Sequence, residues 1–476
     1  MTFLNYPQKQ SKANLGILTV FRIGLFNLGL GLMSVLTLAI LNRVMISELG
    51  IPGTITAGTI AMSQLVAPAR VWFGRLSDVK PIFGLHRSNY VRFGTIFSGL
   101  AVFTAIQIVW RLGKIITDNG GWVWNDATIA LVVLLGLILA IYGLALSSSS
   151  TPFTALLVDI SQENNRSQIV AIVWSMLMVG IVIGGISGSI LLRNLGTSTQ
   201  NPLEVLQPPI NSIFKIAPLV VFALAMIATW KVEKKYSHFN QRTEAKSRED
   251  GVGVKSAFKI LTASRQTGIF FSFLVMITIG LFMQEAVLEP YGGEVFGMSI
   301  AQSTLLNSFW GVGILIGYSL TGFLIIPRLG KITTNKIGCI LVAICFGLII
   351  LSGFTQEQMI LKITMVIFGI ATGITTVSSI NLMLDLTSAT SAGTFIGAWG
   401  LAQSLSRAIA TVSGGIVLDV GRQIFTTPVL AYGLVFALQA LAMLMAILIL
   451  NQINVAEFKT NNSEATTLVM EGDLDS

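Results

Sequence analysis

The sequence predicts an all-α polytopic membrane protein with twelve transmembrane helices arranged as two six-helix bundles. Of its 476 residues, 53% are hydrophobic and only 11% are charged, whereas charged residues make up about 25% of an average soluble domain. Apolar runs of about 20 residues, long enough to cross the core of a bilayer, recur along the whole chain. A long basic segment separates the first six runs from the last six.

The apolar runs define the predicted helices one by one. Their expected bounds are 18–42, 54–73, 90–110, 127–150, 168–192, 213–232, 267–287, 301–325, 336–353, 358–383, 392–417 and 427–451. With the segments between them, they divide the chain into four parts. These are an N-terminal six-helix bundle (1–232), a cytoplasmic basic linker (233–266), a C-terminal six-helix bundle (267–452) and a flexible cytoplasmic tail (453–476).

An internal repeat supports two related bundles. The stretch that begins at Leu156 aligns with the stretch that begins at Leu382, and at one constant offset Asp159 meets Asp385 and Gly188 meets Gly414. Two parallel repeats related by an axis along the membrane normal are a common construction among transporters.

The distribution of Lys and Arg predicts the orientation. Basic residues collect before the first span, in Arg70–Arg92, in Lys231–Arg265 and in Arg328–Lys336, which are alternate loops. The positive-inside rule therefore places both termini in the cytoplasm. The net charge of +8 lies beside the membrane, where it favours anionic lipids, and we expect membrane lipids and no nucleic acid as partners.

Cysteine and histidine usage restricts the possible metal chemistry. Cys339 and Cys345 lie six residues apart in the ninth predicted span and point to different faces, so we expect free thiols. The two histidines, His86 and His238, lie in loops. We therefore expect no metal site formed by the protein itself and no transmembrane His ligand for haem or chlorophyll.

The segment between the second and third spans carries a motif. Gly74-Arg75-Leu76-Ser77-Asp78 is followed, after the insertion Lys80–Phe83, by Gly84-Leu85-His86-Arg87. Gly allows a tight turn, and Asp78 can pair with a nearby Arg or accept from a helix N-terminus. The arrangement resembles the signature loop of the major facilitator superfamily, which implies a gating role for Gly74, Asp78, Gly84 and Arg87. The corresponding second-half loop, from Gly322 to Gly330, lacks the Asp.

A narrower resemblance covers nearly the full length. Gly24–Pro52, APARVWFGRLSD and PIFGLHR are similar to the PucC/LhaA family, the bacteriochlorophyll-delivery branch of that superfamily, and most of all to its cyanobacterial type. The resemblance implies a factor that assembles light-harvesting or photosystem complexes and that binds or transfers chlorophyll. It further implies chlorophyll-binding polypeptides or pigment-synthesis enzymes as partners, and a cyanobacterial thylakoid or plasma membrane as the location.

Polar residues within the spans are the candidates for a pigment or partner cavity. In the first span Asn27 follows Gly24 at helical spacing, and either it packs against a neighbouring helix or, like Asn42, it ligates chlorophyll magnesium through its amide oxygen. The full candidate set is Asn27, Asn42, Arg43, Glu285, Asn307, Asn381 and Arg407.

Arg407 lies deep in the eleventh span and needs a partner, for which Asn27, Glu285 or the bound ligand are candidates. Either it contributes to a functional site, or it locks the two halves together. Small residues in the fifth and eleventh spans are expected to pack helices closely: Gly180, Gly184, Gly188, Gly397, Gly400 and Gly414.

Three classes of function were compared. We expect no enzyme, since the sequence contains no nucleotide loop, metal cluster or catalytic Ser/His/Asp set. A proton- or ion-coupled transporter of a small solute remains the alternative, but the spans contain few titratable residues. Fold by itself does not separate these roles, and the family resemblance favours the assembly factor.

Overall fold

The computed structural model describes residues 16–161, 166–193, 202–237, 265–385 and 392–453, which are almost entirely helical. Within these ranges, eleven helices are long and apolar enough to cross a membrane. The predicted fold class is therefore confirmed. Most of the predicted linker (233–266) and tail (453–476) lies outside the described residues.

The first half of the described chain contributes eight helices. They are α1 (Ile17–Glu48, with two π-helical stretches), α2 (Gly53–Leu65), α3 (Ala69–Val79), α4 (Ser88–Asp118), α5 (Asp126–Ile160), α6 (Arg166–Leu191), α7 (Pro202–Thr229) and the short α8 (Val232–Tyr236).

The second half is built in the same manner. It contains α9 (Arg265–Phe282), a 3₁₀ turn (Met283–Ala286), α10 (Leu288–Phe296), α11 (Ile300–Leu320, extended through Leu329), α12 (Lys331–Thr355), α13 (Gln358–Asp385), α14 (Ala392–Ile424) and α15 (Pro428–Leu450).

Two elements differ from the predicted bounds because of proline. The second predicted span is present as α2 and α3, separated by a turn at 66–68, since Pro68 disfavours helical geometry in the residue before it. The predicted count of twelve spans thus agrees approximately. Conversely, α7 begins eleven residues before the predicted start at 213 and continues through Pro208 and Pro209. The Ser212 hydroxyl donates to the Pro208 carbonyl at 3.0 Å, which is one way membrane helices tolerate proline.

Each half has its own apolar core. In the second half, aromatic rings of α10, α12, α13 and α15 pack together, with Phe346 5.0 Å from Phe368 and Tyr291 5.0 Å from Phe436 between ring centroids. The first half is packed around buried residues of α1, α4, α5 and α7. Each bundle is thus packed largely around its own core, and a smaller apolar cluster that includes Met178 and Ile314 joins the two.

The bundles meet mainly at one end, where α2 packs on α14 and α6 on α11. Asp419 of α14 accepts hydrogen bonds from the backbone N–H groups of Gly53 and Thr54 at 2.9 and 2.7 Å, so its charge lies at the N-terminus of α2. A Cβ on Gly415 would lie 2.3 Å from the Gly53 carbonyl. We call this region, formed by residues 42–54, 285–300 and 414–424, the closed end.

At the opposite end, which holds residues 69–87 and 326–331, the bundles diverge. α3 packs against α5 of its own bundle, and a Cβ on Gly400 of α14 would meet nothing within 4 Å. We call this the open end. The Arg407 side chain of α14 is partly exposed on this side, and we call the space between the bundles here the cleft.

Candidate functional site

Contacts between α1 and α6 account for one group of predicted residues. Buried Asn27 donates from Nδ2 to the Val173 carbonyl at 3.2 Å. A Cβ on Gly31 would lie 2.1 Å from the Leu177 carbonyl. Asn27 therefore lies in a helix–helix contact and away from the cleft.

The predicted glycines of α6 lie in the same contact and in the one beyond it. A Cβ on Gly180 would lie 2.0 Å from the Leu28 carbonyl, and Gly184 faces the backbone of Leu32 at 3.1 Å. Gly188 lies where α6 meets Thr304 of α11, with 2.9 Å between its added Cβ and the Thr304 methyl. A side chain larger than the hydrogen of glycine at these positions would clash with the neighbouring helix.

The signature segment forms what we call the open-end network. Gly74 and Asp78 lie in helix α3 and not in a loop, while Gly84 provides the left-handed turn (φ +74°) that follows. The buried Arg87 donates from Nε to Asp159 at 3.0 Å and also forms an ion pair with Asp78. The network thus ties α3, α4 and α5 together.

Sequence reasoning missed one member of this network, Glu233 of α8. Its carboxylate accepts from the backbone N–H groups of His86, Arg87 and Ser88, at 2.6, 3.2 and 2.7 Å respectively. It thereby caps the N-terminus of α4 with negative charge. No spacing rule identifies a cap supplied from 145 residues away.

The seventh span is interrupted where it meets the cleft. Pro290 has no N–H group to donate to the carbonyl four residues earlier, on Ala286. The amide of Asn42, on α1 of the other bundle, donates to that carbonyl at 3.0 Å and to the Glu285 carbonyl at 3.2 Å. On the α14 side, Gly414 admits the turn closely, since its added Cβ would lie 2.4 Å from the Met283 carbonyl.

Arg407 and Glu285 form an ion pair on the surface of the cleft. Nε of Arg407 lies 2.9 Å from Oε2 of Glu285, with a second contact between Nη2 and Oε1. The guanidinium lies 4.4 Å from the ring centroid of Phe282. Its side chain is 42% exposed, so this cation faces open space within the molecule's membrane region.

A second cation lies across the cleft. Arg70, at the start of α3, is exposed, and its charge interacts unfavourably with that of Arg407. No carboxylate of the described ranges pairs with Arg70. Two guanidinium groups against one carboxylate leave this part of the cleft with a net positive charge.

Arg43 fastens the closed end. It forms an ion pair with Glu48 at 3.0 Å and donates to the carbonyls of Glu289, Pro290 and Met298 at 3.2–3.4 Å, across the boundary between the bundles. The guanidinium lies directly over Gly293, where an added Cβ would be 1.2 Å from Nη1.

Behind the cleft lies a buried carboxyl group, that of Glu289, which falls between the predicted seventh and eighth spans. Glu289 is 4% exposed, and its Oε1 accepts from Asn307 Nδ2 at 2.8 Å. It directly follows the turn that interrupts the seventh span. The four-residue separation from Glu285 would place both carboxyls on one face of an unbroken helix, but the helix is interrupted at Met283–Ala286.

The structure therefore brings together Asn42, Glu285, Asn307 and Arg407, with Arg43 nearby, and separates Asn27 and Asn381 from them. Asn381 lies toward the open end, where its Nδ2 donates within α13 to Val377 at 2.9 Å. The surroundings of Gly397 lie outside the described residues.

The fit of a chlorophyll magnesium to the predicted amides can be tested directly. Asn27 and Asn42 are 8% and 2% exposed and lie in contacts between helices, so neither has room for a chlorin ring in this conformation. Among the described residues, no group of three or more His, Cys, Asp or Glu side chains could hold a metal ion. The cleft offers guanidinium donors and an aromatic face.

Two bundles, an interrupted helix at their boundary and a cleft open at one end define a membrane protein with the fold of the major facilitator superfamily. The nucleoside transporter NupG superposes with a TM-score of 0.66 at 12% identity, covering 92% of this chain and 99% of NupG. At this identity the similarity shows the fold alone.

Sequence comparison gives the family. The family described as PUCC protein matches residues 40–458. Protein PucC of Rhodobacter capsulatus is 26% identical over 438 residues, 90% of each chain. The protein named bacteriochlorophyll synthase 44.5 kDa chain, from Rhodobacter capsulatus, is 27% identical over 442 residues, 91% of this chain and 94% of its own. The chain belongs to the PUCC protein family.

Proposed function

We propose that the protein is a membrane assembly factor for chlorophyll-binding complexes, either light-harvesting or photosystem, and that its cleft binds chlorophyll for delivery. Membership of the PUCC family and the pigment-related name of one relative support the role. The observation that carries it is the Arg407–Glu285 pair, which faces the cleft across from Arg70.

The chemistry of the cleft suits a large, flat and mostly apolar ligand with a few oxygen atoms. Chlorophyll when bound would supply a planar ring with keto and ester oxygens. Arg407 and Arg70 can donate to such oxygens, and a guanidinium also stacks on a planar π-system. Phe282 extends the same face. The proposed partners are chlorophyll-binding membrane polypeptides or pigment-synthesis enzymes, together with anionic lipids.

The proposal also covers the membrane in which the protein lies, its orientation and the division of the chain into parts. We propose a protein of the cyanobacterial type in a thylakoid or plasma membrane, with both termini in the cytoplasm and the domain bounds 1–232, 233–266, 267–452 and 453–476. We also propose that it is not an enzyme. The transporter fold supports this, although one relative carries the name of a synthase chain.

Purification in a gentle detergent, followed by absorption spectroscopy and identification of the accompanying chains, tests the role. We expect chlorophyll and chlorophyll-binding polypeptides to accompany the wild-type protein. Arg407→Leu should give an inserted, stable protein with little pigment. Arg422→Gln, which removes an Arg–Glu pair at the closed end, is the matched control and should retain the pigment.

Two other outcomes are informative. If Arg407→Leu fails to accumulate or loses its thermal transition, Arg407 locks the bundles and the pigment site lies elsewhere. Colourless wild-type protein that moves a solute into liposomes would overturn the proposal in favour of a secondary transporter of a small solute, for which the transporter fold is the supporting observation.

A further inference from the structure

The carboxyl group of Glu289 lies at the boundary of the bundles with half of its hydrogen-bonding capacity unused. Oε1 accepts from Asn307, but Oε2, which is inaccessible to solvent, has no hydrogen-bond partner within the described ranges. A buried carboxylate in that condition carries the desolvation penalty of an unpaired ion.

The charges around Glu289 are already balanced without it. α10 packs against α11, α15, the 3₁₀ turn and the end of α1. Three ion pairs surround it, Arg43–Glu48, Arg407–Glu285 and Arg422–Glu294, and Tyr432 of α15 bonds to Arg422. α11 contributes the neutral Asn307. Among these described groups, every arginine already has its own carboxylate.

Asn42 supplies the complementary observation. Its Nδ2 is committed to two carbonyls of the interrupted helix, and its buried Oδ1 has no donor in the described part of the chain. Asn42 bonds to the carbonyl of Ala286, three residues before Glu289, so its side chain lies beside the Glu289 carboxyl. A proton on Oε2 would satisfy both oxygens at once, since the acid would donate to the amide oxygen.

We propose that Glu289 is a proton-binding site that holds the closed end shut: its neutral acid bridges Asn42 of the first bundle to Asn307 of the second. When the closed end opens, water reaches the carboxyl and the acid releases one proton to that water. When the end closes again, the carboxylate takes one proton back. Opening is thereby linked to the release of one proton, whatever ligand the cleft binds.

The sign of the pH effect follows from linkage. Because burial without a counter-charge favours the neutral acid, the closed conformation holds the proton more tightly than the open one. The closed conformation is therefore favoured at low pH and loses this advantage as pH rises. Each unit that separates the two pKa values is a factor of about ten in the equilibrium between the conformations.

A buried cysteine reports opening. Thr304 is 1% exposed where α6 meets α11, so Thr304→Cys, with Cys339 and Cys345 replaced by serine, should react with a maleimide only when the bundles part. The labelling rate of Thr304→Cys is measured in lipid nanodiscs without pigment. It is divided by the labelling rate of the exposed Asn119→Cys, which removes the pH dependence of the maleimide reaction itself. We expect the ratio to rise roughly tenfold to a hundredfold between pH 5.5 and 8.5.

Variants separate Glu289 from its surroundings. Glu289→Gln keeps the bridge without a titrating proton, so its ratio should stay low at every pH. Asn307→Leu removes the donor to Oε1 and should move the midpoint to higher pH. Glu357→Gln, the loss of an exposed carboxylate that belongs to none of these three ion pairs, should leave the midpoint unchanged. A ratio independent of pH in the parent protein, or unchanged pH dependence in either Glu289→Gln or Asn307→Leu, would overturn the proposal.

Discussion

Arg43 shows how a single side chain can fix the relation of two bundles. Its guanidinium is buried, paired with Glu48 and bonded to carbonyls of the opposite bundle. Its two Nη groups have partners, while Nε has none among the described residues. Loss of an Nη partner would cost about 1–3 kcal/mol, because it would leave a further buried polar group unsatisfied. Gly293 provides the space that makes the arrangement possible.

Gly293→Ala should therefore displace Arg43. The added methyl would lie 1.2 Å from Nη1, so we expect a loss of roughly 1–3 kcal/mol in the free energy of unfolding and faster labelling of Thr304→Cys. Gly347→Ala, in a helix where the added methyl meets nothing within 4 Å, is the control and should be neutral or slightly stabilising. Equal thermal stability of the two variants would contradict the role given to Gly293.

The open-end network contains two carboxylates of unequal burial, and this inequality predicts unequal effects. The side chain of Asp78 is 47% exposed and that of Asp159 is 8% exposed, although both pair with Arg87. Asp78→Asn should lower stability by about 0–1 kcal/mol, and Asp159→Asn by about 3–5 kcal/mol, since it leaves Arg87 buried with less compensation. Thermal unfolding in detergent measures the order, and a larger effect at Asp78 would contradict it.

Glycine allows helices α1 and α6 to approach each other closely. The backbone contacts of Gly31 and Gly180 allow the helices to pack at a separation that any side chain would prevent. Close packing is a main source of association between helices in a membrane, where the hydrophobic effect contributes little.

Gly180→Leu should separate α1 from α6. We expect reduced accumulation in the membrane and a lower thermal transition, because the larger side chain would meet the Leu28 carbonyl and overpacking costs about 1–3 kcal/mol or more. Gly347→Leu serves as the matched control at an open position. Normal accumulation of Gly180→Leu would show that α1 and α6 can pack differently.

The interruption of the seventh span has a cause in the local sequence and a consequence for the contact between the bundles. Pro290 frees the Ala286 carbonyl, and Asn42 of the other bundle takes the place of the missing donor. The helix break therefore creates a polar contact between bundles, as in other transporters whose broken helices line their sites.

The whole molecule presents two ends whose orientation can be tested. Lys80 lies at the open end, and Asn119 follows α4 at the other end of the same bundle; both are exposed. The positive-inside rule predicts that Lys80→Cys is labelled by an impermeant reagent only from the cytoplasm and Asn119→Cys only from the opposite side. Labelling of both from one side would be incompatible with the membrane-spanning arrangement of α4.

The sequence determined the class of protein, because the length and apolarity of a span are local properties that a bilayer requires directly. It also supplied the family resemblance and the glycine stripe of α6. It misplaced the ends of α7 and joined α2 to α3, because proline affects a helix in ways that depend on nearby hydroxyl groups and neighbouring helices.

Only the tertiary structure decided how the polar residues combine. Arg407 meets Glu285 across 122 positions and Asn42 meets Ala286 across 244, whereas Asn27, an equal candidate in the sequence, bonds to α6. Hydropathy does not predict how a helix is rotated about its own axis. That rotation decides which neighbouring group each polar side chain contacts. That rotation is set by contacts such as Gly31 with Leu177 and Gly414 with Met283, which exist only after the helices have packed. For the same reason, the burial of Glu289 depends on the packing of α10 against α11 and against α1 of the first bundle.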